Sequence, residues 1–210
     1  MIERLRPYPT PAELGELYAV PNDATRWPEH RLRTELTVAL ARSYAGRRPC
    51  TVVDLAAGNG HAAAEVAGAG GRLYLGDYAG VELAAVYASA YGVEVLGAWR
   101  GPLEETLELV PDDAADVMLL GEILEHVDDP AAVLRRATVK ARRLVLSTPL
   151  DEPAGVNPEH LWRWDAAGIR ELLEAAAWRP TGSLLLELEL PHAPRFSPYR
   201  CQLWTAEAAR

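Results

Sequence analysis

The stretch Thr51-Val52-Val53-Asp54-Leu55-Ala56-Ala57-Gly58-Asn59-Gly60-His61 decides the fold of this chain. Its first five residues are mostly apolar and β-branched, which predicts a short buried strand over 51–55. Gly58 and Gly60 follow, and glycines here let the backbone turn sharply and lie close to a ligand. The alanine-rich residues 61–68 then predict a helix that begins directly after the loop.

A carboxylate stands at the end of the next predicted strand, which covers 72–77. Asp77 lies about 20 residues beyond Gly58, where doubly wound folds place an acid against ribose hydroxyls. The combination predicts a nucleoside-binding site, and the alternative is a tight turn that Asp77 caps. The loop DLAAGNG lacks the third glycine of the GxGxxG fingerprint, which disfavours an NAD-dependent oxidoreductase.

Helical patterns and short apolar runs alternate from about residue 30 onwards. Further strands are predicted over 93–96, 115–120, 143–147, 183–190 and 199–205. Further helices are predicted over 31–45, 81–91, 103–109, from Pro130 onwards and over 164–177. Strands that alternate with helices predict an α/β fold. We therefore expect a Rossmann-like, seven-stranded, mostly parallel sheet with helices on both faces, in which the last two strands are antiparallel.

The first 30 residues differ in composition from the rest of the chain. They contain prolines at 7, 9, 11, 21 and 28, which break regular structure, and the aromatic residues Tyr8, Tyr18 and Trp27. We predict that residues 1–30 form an N-terminal arm or lid and that residues 31–210 form the catalytic domain. The absence of an 18-residue apolar run and of a signal-like N-terminus predicts a cytoplasmic protein with no membrane partner.

Charge and cysteine content exclude further classes. The formal net charge of −9 disfavours a nucleic-acid partner, because an acidic surface repels phosphate. The two cysteines, Cys50 and Cys201, are too few and too far apart for a zinc site, so we expect both in or near the core. The sequence is compatible with a homodimer.

Three segments together resemble the class I S-adenosylmethionine-dependent methyltransferases. DLAAGNG over 54–60 is similar to their first motif, an acidic residue followed by xGxGxG, with Ala56 in place of the first glycine. DVMLLGEILEHVDDP over 116–130 looks like the fourth-strand motif of the small-molecule members. LVLSTP over 144–149 looks like their fifth strand. The resemblance spans residues 30–205.

The resemblance implies S-adenosyl-L-methionine as cofactor, with the loop around its methionine moiety and Asp77 at the ribose. The cofactor-binding residues that it implies are Asp54, Ala56, Gly58, Gly60, Asp77 and Glu122. Many family members carry an aspartate near the adenine after the third strand, whereas residues 96–99 here contain no acid. Trp99 either stacks on the adenine or belongs to the core.

The cluster Glu122, Glu125 and His126 follows the fourth predicted strand, where ligands bind in open α/β folds. It resembles the ExLEHV segment of ubiquinone-biosynthesis O-methyltransferases, which is associated with magnesium. It also resembles the ExxEH motif of small-RNA terminal 2′-O-methyltransferases, whose distant histidine corresponds to His160 in EHLWRW. The cluster therefore holds Mg²⁺ with His160, or removes a substrate proton through Glu125 and His126, or serves the structure.

These observations predict a methyltransferase that acts on a small-molecule acceptor at oxygen. One alternative is a metal-dependent RNA 3′-terminal 2′-O-methyltransferase, which the net charge disfavours. Another is a non-catalytic protein that binds S-adenosylmethionine, because catalysis by positioning needs no obligatory catalytic side chain.

Overall fold

The computed structural model describes residues 1–18, 26–46, 49–194 and 197–209, so Pro21 of the predicted lid lies outside the described residues. The strands are β1 Ile2–Arg4, β2 Thr51–Asp54, β3 Arg72–Asp77, β4 Glu94–Arg100, β5 Ala115–Gly121, β6 Ala141–Pro149, β7 Trp162–Trp164, β8 Trp178–Leu188 and β9 Tyr199–Ala208. The helices are α1 Pro11–Leu17, α2 Pro28–Ala45, α3 His61–Ala67, α4 Val81–Ala90, α5 Leu103–Leu109, α6 Pro130–Lys140 and α7 Ala166–Ala175. None of the helices in these ranges is long and apolar enough to cross a membrane.

Seven strands form one sheet in the order β4-β3-β2-β5-β6-β9-β8. The pairs from β4 to β6 are parallel, whereas β9 runs antiparallel to both β6 and β8. The predicted fold class and the antiparallel final pair are both confirmed. The strand order reverses beside β2, and the carboxyl ends of β2, β3 and β5 meet there at one edge of the sheet.

Helices cover both faces of this sheet, and each face has its own apolar core. On one face, small residues of α2, α3 and α4 pack on the sheet, including Ala41, Ala64 and Ala84, none of which is exposed. On the other face, larger side chains of α5, α6 and α7 pack around the buried Trp164 and Trp178. The small residues of the first face let its helices lie close to the sheet and to one another.

Several predicted element boundaries were wrong, including those of α2, α7, β4 and β8. Helix α2 begins at Pro28 rather than at residue 31, because proline is well suited to a first helical turn. Helix α7 begins at Ala166 rather than at 164, since the Asp165 side chain accepts a hydrogen bond from the Gly168 N–H and caps the helix. Strand β4 continues to Arg100, and β8 begins at Trp178 rather than at 183.

The first residues of the chain belong to the edge of the domain. Strand β1 pairs antiparallel with β7, and the Leu5 N–H donates to the Leu161 carbonyl. Helix α1 then begins with a capping box, in which Thr10 and Glu13 each accept a hydrogen bond from the other's backbone N–H. These contacts direct Tyr18, the residue after the end of α1, towards the carboxyl edge of the sheet.

Candidate active site

A cavity of about 200 Å³ opens at the carboxyl ends of β2, β3 and β5. Its walls include the predicted cofactor residues Asp54, Ala56, Gly58, Asp77 and Glu122. Helix α1 and its flanks supply Tyr8, Leu14 and Tyr18 from the opposite side. The cavity therefore lies at the topological switch point, between the glycine loop and the N-terminal arm.

The glycine loop makes a tight turn that side chains would obstruct. Gly58 has a φ of 52° and Gly60 a φ of 76°, in the left-handed region that favours glycine. A Cβ on Gly60 would lie 2.8 Å from the backbone of Ala84 in α4. Gly60 does not line the cavity, unlike the other predicted cofactor residues. It instead allows α3 and α4 to pack closely, which fixes the loop in front of them.

Asp77 holds the glycine loop and its own turn together. Its Oδ2 accepts a hydrogen bond of 2.8 Å from the Gly58 N–H, and its Oδ1 accepts from the N–H groups of Ala79 and Gly80. This is the cap that the sequence left as an alternative, and it leaves the carboxylate on the cavity wall. An ionised carboxylate has about four acceptor positions, so ribose hydroxyls can still donate to it.

Two buried polar groups at this cavity remain poised for a ligand. Burial raises the pKa of Asp54 to about 7, against the lowering effect of the Ala56 N–H, and the nearby Asp77 raises it further. The Ser147 hydroxyl is buried without a hydrogen-bond partner in the described structure and lines the same cavity. A cavity with such polar groups in its wall fits a nucleoside, whose amino and hydroxyl groups can supply hydrogen-bond partners.

Aromatic residues close one end of the cavity. Tyr18 stacks on Tyr78 with ring centroids 5.1 Å apart, and its hydroxyl lies 3.1 Å from the Nδ1 of His126. Trp99 is not part of this wall. It stacks on Tyr74 against the core, with centroids 6.0 Å apart, so of its two predicted roles the core role is confirmed.

A second cavity of about 530 Å³ lies beside the first. It is bounded by the start of α2, the segment after β6 and the segment between β8 and β9, including Trp27, Glu29, Leu150, His160 and Tyr199. The two cavities share four lining residues, which are Arg33, Glu122, His126 and Glu159. We call these four residues the junction, because any group that passes between the cavities passes beside them.

Glu122 has a special backbone conformation at the junction. Its φ of 52° is unusual for a residue with a Cβ, and such conformations occur where the surrounding structure fixes them. The Arg33 guanidinium lies 3.2 Å from one carboxylate oxygen, and the Cys201 thiol donates to the other. Arg33 also donates to the Tyr199 hydroxyl at 2.8 Å. Glu122 is thus held as a charged, oriented group between the cavities.

Glu125 and His160 bring their side chains to His126 of the junction, with the ligating atoms of the three residues within 4.8 Å of one another. Glu125 is fully buried and lines neither cavity, while its Oε2 accepts from Thr148 and its Oε1 has no partner. Burial and the nearby Glu122 raise the pKa of Glu125 to about 8. Burial lowers the pKa of His126 to about 3, so this imidazole is neutral near pH 7.

His160 is engaged on both ring nitrogens. Its Nδ1 contacts Glu152 and its Nε2 lies 2.9 Å from the Asn157 amide. Burial opposes a charge on His160, but the hydrogen bond to Glu152 and the charges of Glu125 and Glu152 outweigh this effect and raise its pKa. The imidazole therefore serves as a link between the segment 152–157 and the buried Glu125.

This arrangement does not fit Mg²⁺. Of the four predicted ligands, the structure groups three, whereas Glu122 pairs with Arg33 instead. Two imidazoles and one carboxylate are a poor donor set for an ion that requires octahedral oxygen ligands. In addition, the ring nitrogens of His160 already have protein partners, and the Tyr18 hydroxyl occupies Nδ1 of His126.

Several residues of these cavities escaped the sequence analysis. Arg33 and Tyr199 stand in ordinary amphipathic or strand patterns that no local motif marks, and Ser147 lies in the LVLSTP segment, but the sequence pattern does not single it out. Glu29 directly follows Pro28 in a predicted arm, and only its place in a first helical turn distinguishes it. His61, which begins α3, lines neither cavity and contacts the Tyr87 hydroxyl at 2.8 Å.

The fold and the cavities define an α/β protein with two adjoining cavities at the carboxyl edge of its sheet. A family model for the methyltransferase domain matches residues 25–181. The chain therefore belongs to the methyltransferase domain family, as a class I S-adenosylmethionine-dependent methyltransferase. No curated protein sequence matches the chain significantly.

Solved structures of the same fold are similar over nearly the whole chain. One is the 1,6-didemethyltoxoflavin N1-methyltransferase of Burkholderia thailandensis with its substrate and S-adenosylhomocysteine bound. It is 20% identical with a TM-score of 0.74, over 100% of this chain and 95% of that one. The N-methyltransferase NodS of Bradyrhizobium japonicum WM9, with S-adenosylhomocysteine, is 13% identical with a TM-score of 0.70, over 94% and 98%. The [4+2]-cyclase SpnF is 15% identical with a TM-score of 0.70, over 98% of each chain.

Proposed function

We propose that this methyltransferase transfers its methyl group to an oxygen atom of a small molecule in the 530 Å³ cavity. The observation that carries the proposal is the junction of Arg33, Glu122, His126 and Glu159 between two cavities. The volume falls within the roughly 300–1,000 Å³ that small-molecule pockets occupy. A methyl donor in one cavity and an acceptor in the other would meet at this junction.

We assign the 200 Å³ cavity to the cofactor. S-adenosylmethionine supplies an electrophilic methyl group on a sulfonium sulfur. The leaving group is the neutral thioether S-adenosylhomocysteine. Asp77 and the glycine loop would hold the ribose, and Asp54 would face the ammonium group of the methionine moiety. Ser147 offers its unpaired hydroxyl to the same ligand. Gly60 contributes through the packing of α3 on α4 rather than by contact.

The junction provides the proton acceptors that an oxygen nucleophile needs. An alcohol or phenol must lose its proton as the new C–O bond forms, and that proton can move to the Glu122 or Glu159 carboxylate. His126 is kept neutral by burial, so it adds no positive charge beside the sulfonium. Glu125 lies behind the junction as a positioning residue, since it lines neither cavity.

The N-terminal arm would act as a lid over the cofactor. Tyr8, Leu14 and Tyr18 line the cofactor cavity, and the Tyr18 hydroxyl contacts His126 at the junction. Cofactor entry therefore requires α1 to move, and closure would exclude water during methyl transfer. The division of the chain into an arm over 1–30 and a domain over 31–210 stays a prediction in this proposal, as does a homodimer.

A nitrogen acceptor is the second candidate. Two similar structures are named as N-methyltransferases, and acidic residues outnumber arginines around the second cavity. A metal-dependent reaction on an RNA 3′ end is less well supported, because an acidic cavity repels phosphate. SpnF is named as a [4+2]-cyclase, so the experiment also tests whether this chain catalyses a reaction other than methyl transfer.

The experiment combines binding and turnover. Calorimetry with S-adenosylhomocysteine tests the cofactor cavity first. Labelled S-adenosylmethionine is then incubated with a panel of hydroxylated and amine-bearing small molecules, and products are analysed for O-methyl or N-methyl groups. An O-methylated product that is lost in Glu122→Gln supports the proposal. An N-methyl product selects the second candidate, and cofactor binding without any methylated product contradicts both.

A further inference from the structure

Glu29 is a buried carboxylate that faces the 530 Å³ cavity, which we call the acceptor cavity. Only 6% of the residue is exposed, and its Oε2 accepts no hydrogen bond in the described structure. The Nε2 of His192 lies 3.3 Å from this oxygen, but not in hydrogen-bond geometry. A buried carboxylate oxygen without a hydrogen-bond partner is unfavourable, so this atom marks a place where a ligand can complete the structure.

The position of Glu29 in the chain suits an acidic side chain. It lies in the first turn of α2, directly after Pro28 at the start of that helix. The partial positive charge at a helix N-terminus stabilises a carboxylate there. Glu29 therefore presents a negative charge to the cavity, and the natural partner of that charge is a cation.

The guanidiniums around the cavity do not supply this cation, and among the described residues the ionisable partner that contacts Glu29 is the His192 imidazole at 3.3 Å. The lining of the cavity contains five carboxylates, on Glu29, Glu122, Asp151, Glu152 and Glu159, against two guanidiniums, on Arg33 and Arg200. Both guanidiniums already have partners, since Arg33 pairs with Glu122 and Arg200 pairs with Glu187. The surplus of negative charge attracts a cationic ligand and repels an anionic one.

We propose that Glu29 binds a cationic amino group of the acceptor, outside the junction where methyl transfer takes place. Glu29 lines the acceptor cavity but not the cofactor cavity, so the amino group it binds is not the reacting atom. The acceptor is then an amine-bearing hydroxyl compound, held at its ammonium group by Glu29 and at its hydroxyl group by the junction. This inference rests on the proposed function, because it takes the larger cavity as the acceptor site.

The test uses matched probes and the full chain saturated with S-adenosylhomocysteine. Tyramine is compared with 4-ethylphenol, and glucosamine with glucose, so that each pair differs in the ammonium group. Binding is measured by ligand-observed NMR into the millimolar range, for the wild type and for Glu29→Gln. The matched control is Glu35→Gln, an exposed acid of the same helix that pairs with Arg31.

At least one ammonium probe should bind the wild type about tenfold more tightly than its neutral partner, and Glu29→Gln should remove this preference. Glu35→Gln should retain it. The inference is overturned if no ammonium probe is preferred, or if the preference survives in Glu29→Gln. Affinity for S-adenosylhomocysteine is measured in parallel. If the wild type does not bind S-adenosylhomocysteine, the cofactor assignment is refuted. That failure is separate from the absence of an ammonium preference.

Discussion

The two cavities of this protein are built in different ways. The cofactor cavity takes most of its wall from short continuous segments at the carboxyl ends of adjacent parallel strands, such as 54–59 and 77–79. The acceptor cavity is assembled from the start of α2, the segment 149–160 and the segment 190–200, which are far apart in sequence. The first depends on local backbone geometry, whereas the second depends on how distant segments pack. Substitutions should therefore affect the two cavities separately, except at the shared junction.

The largest expected effect is that of Gly60→Ala. Its Cβ would meet the Ala84 backbone at 2.8 Å in a left-handed backbone conformation, so the free energy of unfolding should fall by about 2–4 kcal/mol. Denaturant unfolding measures this loss. The matched control is Gly46→Ala, which has nearly the same φ, 75°, but no atom within 4 Å of the added Cβ. Equal losses in the two variants would mean that the close approach of α3 to α4 contributes nothing.

The next effect is that of Asp77→Asn on the cofactor cavity. Asparagine has one acceptor oxygen instead of two, so its NH2 group must face either the Gly58 N–H or the N–H groups of Ala79 and Gly80, and both the loop and the ribose contact should suffer. We expect affinity for S-adenosylhomocysteine to fall about 100-fold by calorimetry, the equivalent of ~2.7 kcal/mol.

Asp116→Asn is the control for this variant, because the Asp116 carboxylate also accepts a backbone N–H, that of Thr51, away from both cavities. Its affinity for S-adenosylhomocysteine should equal that of the wild type. An unchanged affinity in Asp77→Asn would show that Asp77 only caps its turn.

The difference between the cavities also explains what the sequence could predict. The strand, the glycine loop and Asp77 were readable because each depends on residues a few positions apart, whose backbone preferences are strong. The sheet and its antiparallel end followed from the alternation of elements. The start of α7 was missed because Trp164, directly before the Asp165 cap, fits the apolar pattern of the helix. Trp164 instead belongs to β7, which pairs with the remote β1.

The acceptor cavity could not be predicted in this way. The orphaned Oε2 of Glu29 and the pairing of Arg33 with Glu122 exist only once α2 packs beside the junction. The sequence predicts a functional cluster at Glu122, Glu125 and His126, but it leaves open which chemistry the cluster performs. Sequence spacing placed Glu122, Glu125 and His126 on one turn, whereas burial decides that Glu125 faces inward and Glu122 faces the cavities.

The pH dependence of cofactor binding distinguishes the cavities by a smaller effect. Asp54 lines the cofactor cavity with a pKa of about 7, above its unfolded value of 3.8. Its contribution to the stability of the free protein is therefore complete below pH 3.8 and lost as the pH rises through 7. The ammonium group of the ligand prefers the ionised carboxylate, so affinity for S-adenosylhomocysteine should rise about tenfold from pH 6 to pH 8.

Calorimetry across this pH range tests the expectation, with two variants. Asp54→Asn should bind more weakly and with no pH dependence. Glu125→Gln is the control, since Glu125 has a raised pKa of about 8 but lines neither cavity. Glu125→Gln should retain the pH dependence of cofactor binding. The pH dependence of the protein's stability should become weaker in this variant. A pH dependence that persists in Asp54→Asn would assign it to another group.

The smallest effect concerns the contact that connects the lid with the junction. In Tyr18→Phe the ring still stacks on Tyr78, but His126 loses the hydroxyl at its Nδ1. A neutral hydrogen bond of this kind contributes about 1 kcal/mol, so S-adenosylhomocysteine should dissociate about fivefold faster, with its association rate unchanged. Stopped-flow displacement measures both rates. Tyr44→Phe, which removes a hydroxyl that contacts Thr181 away from both cavities, should change neither rate. If Tyr18→Phe instead slowed association and left dissociation unchanged, the hydroxyl would serve to admit the ligand. The arm would then be a wall of the cofactor cavity rather than a lid that a hydrogen bond to His126 keeps closed.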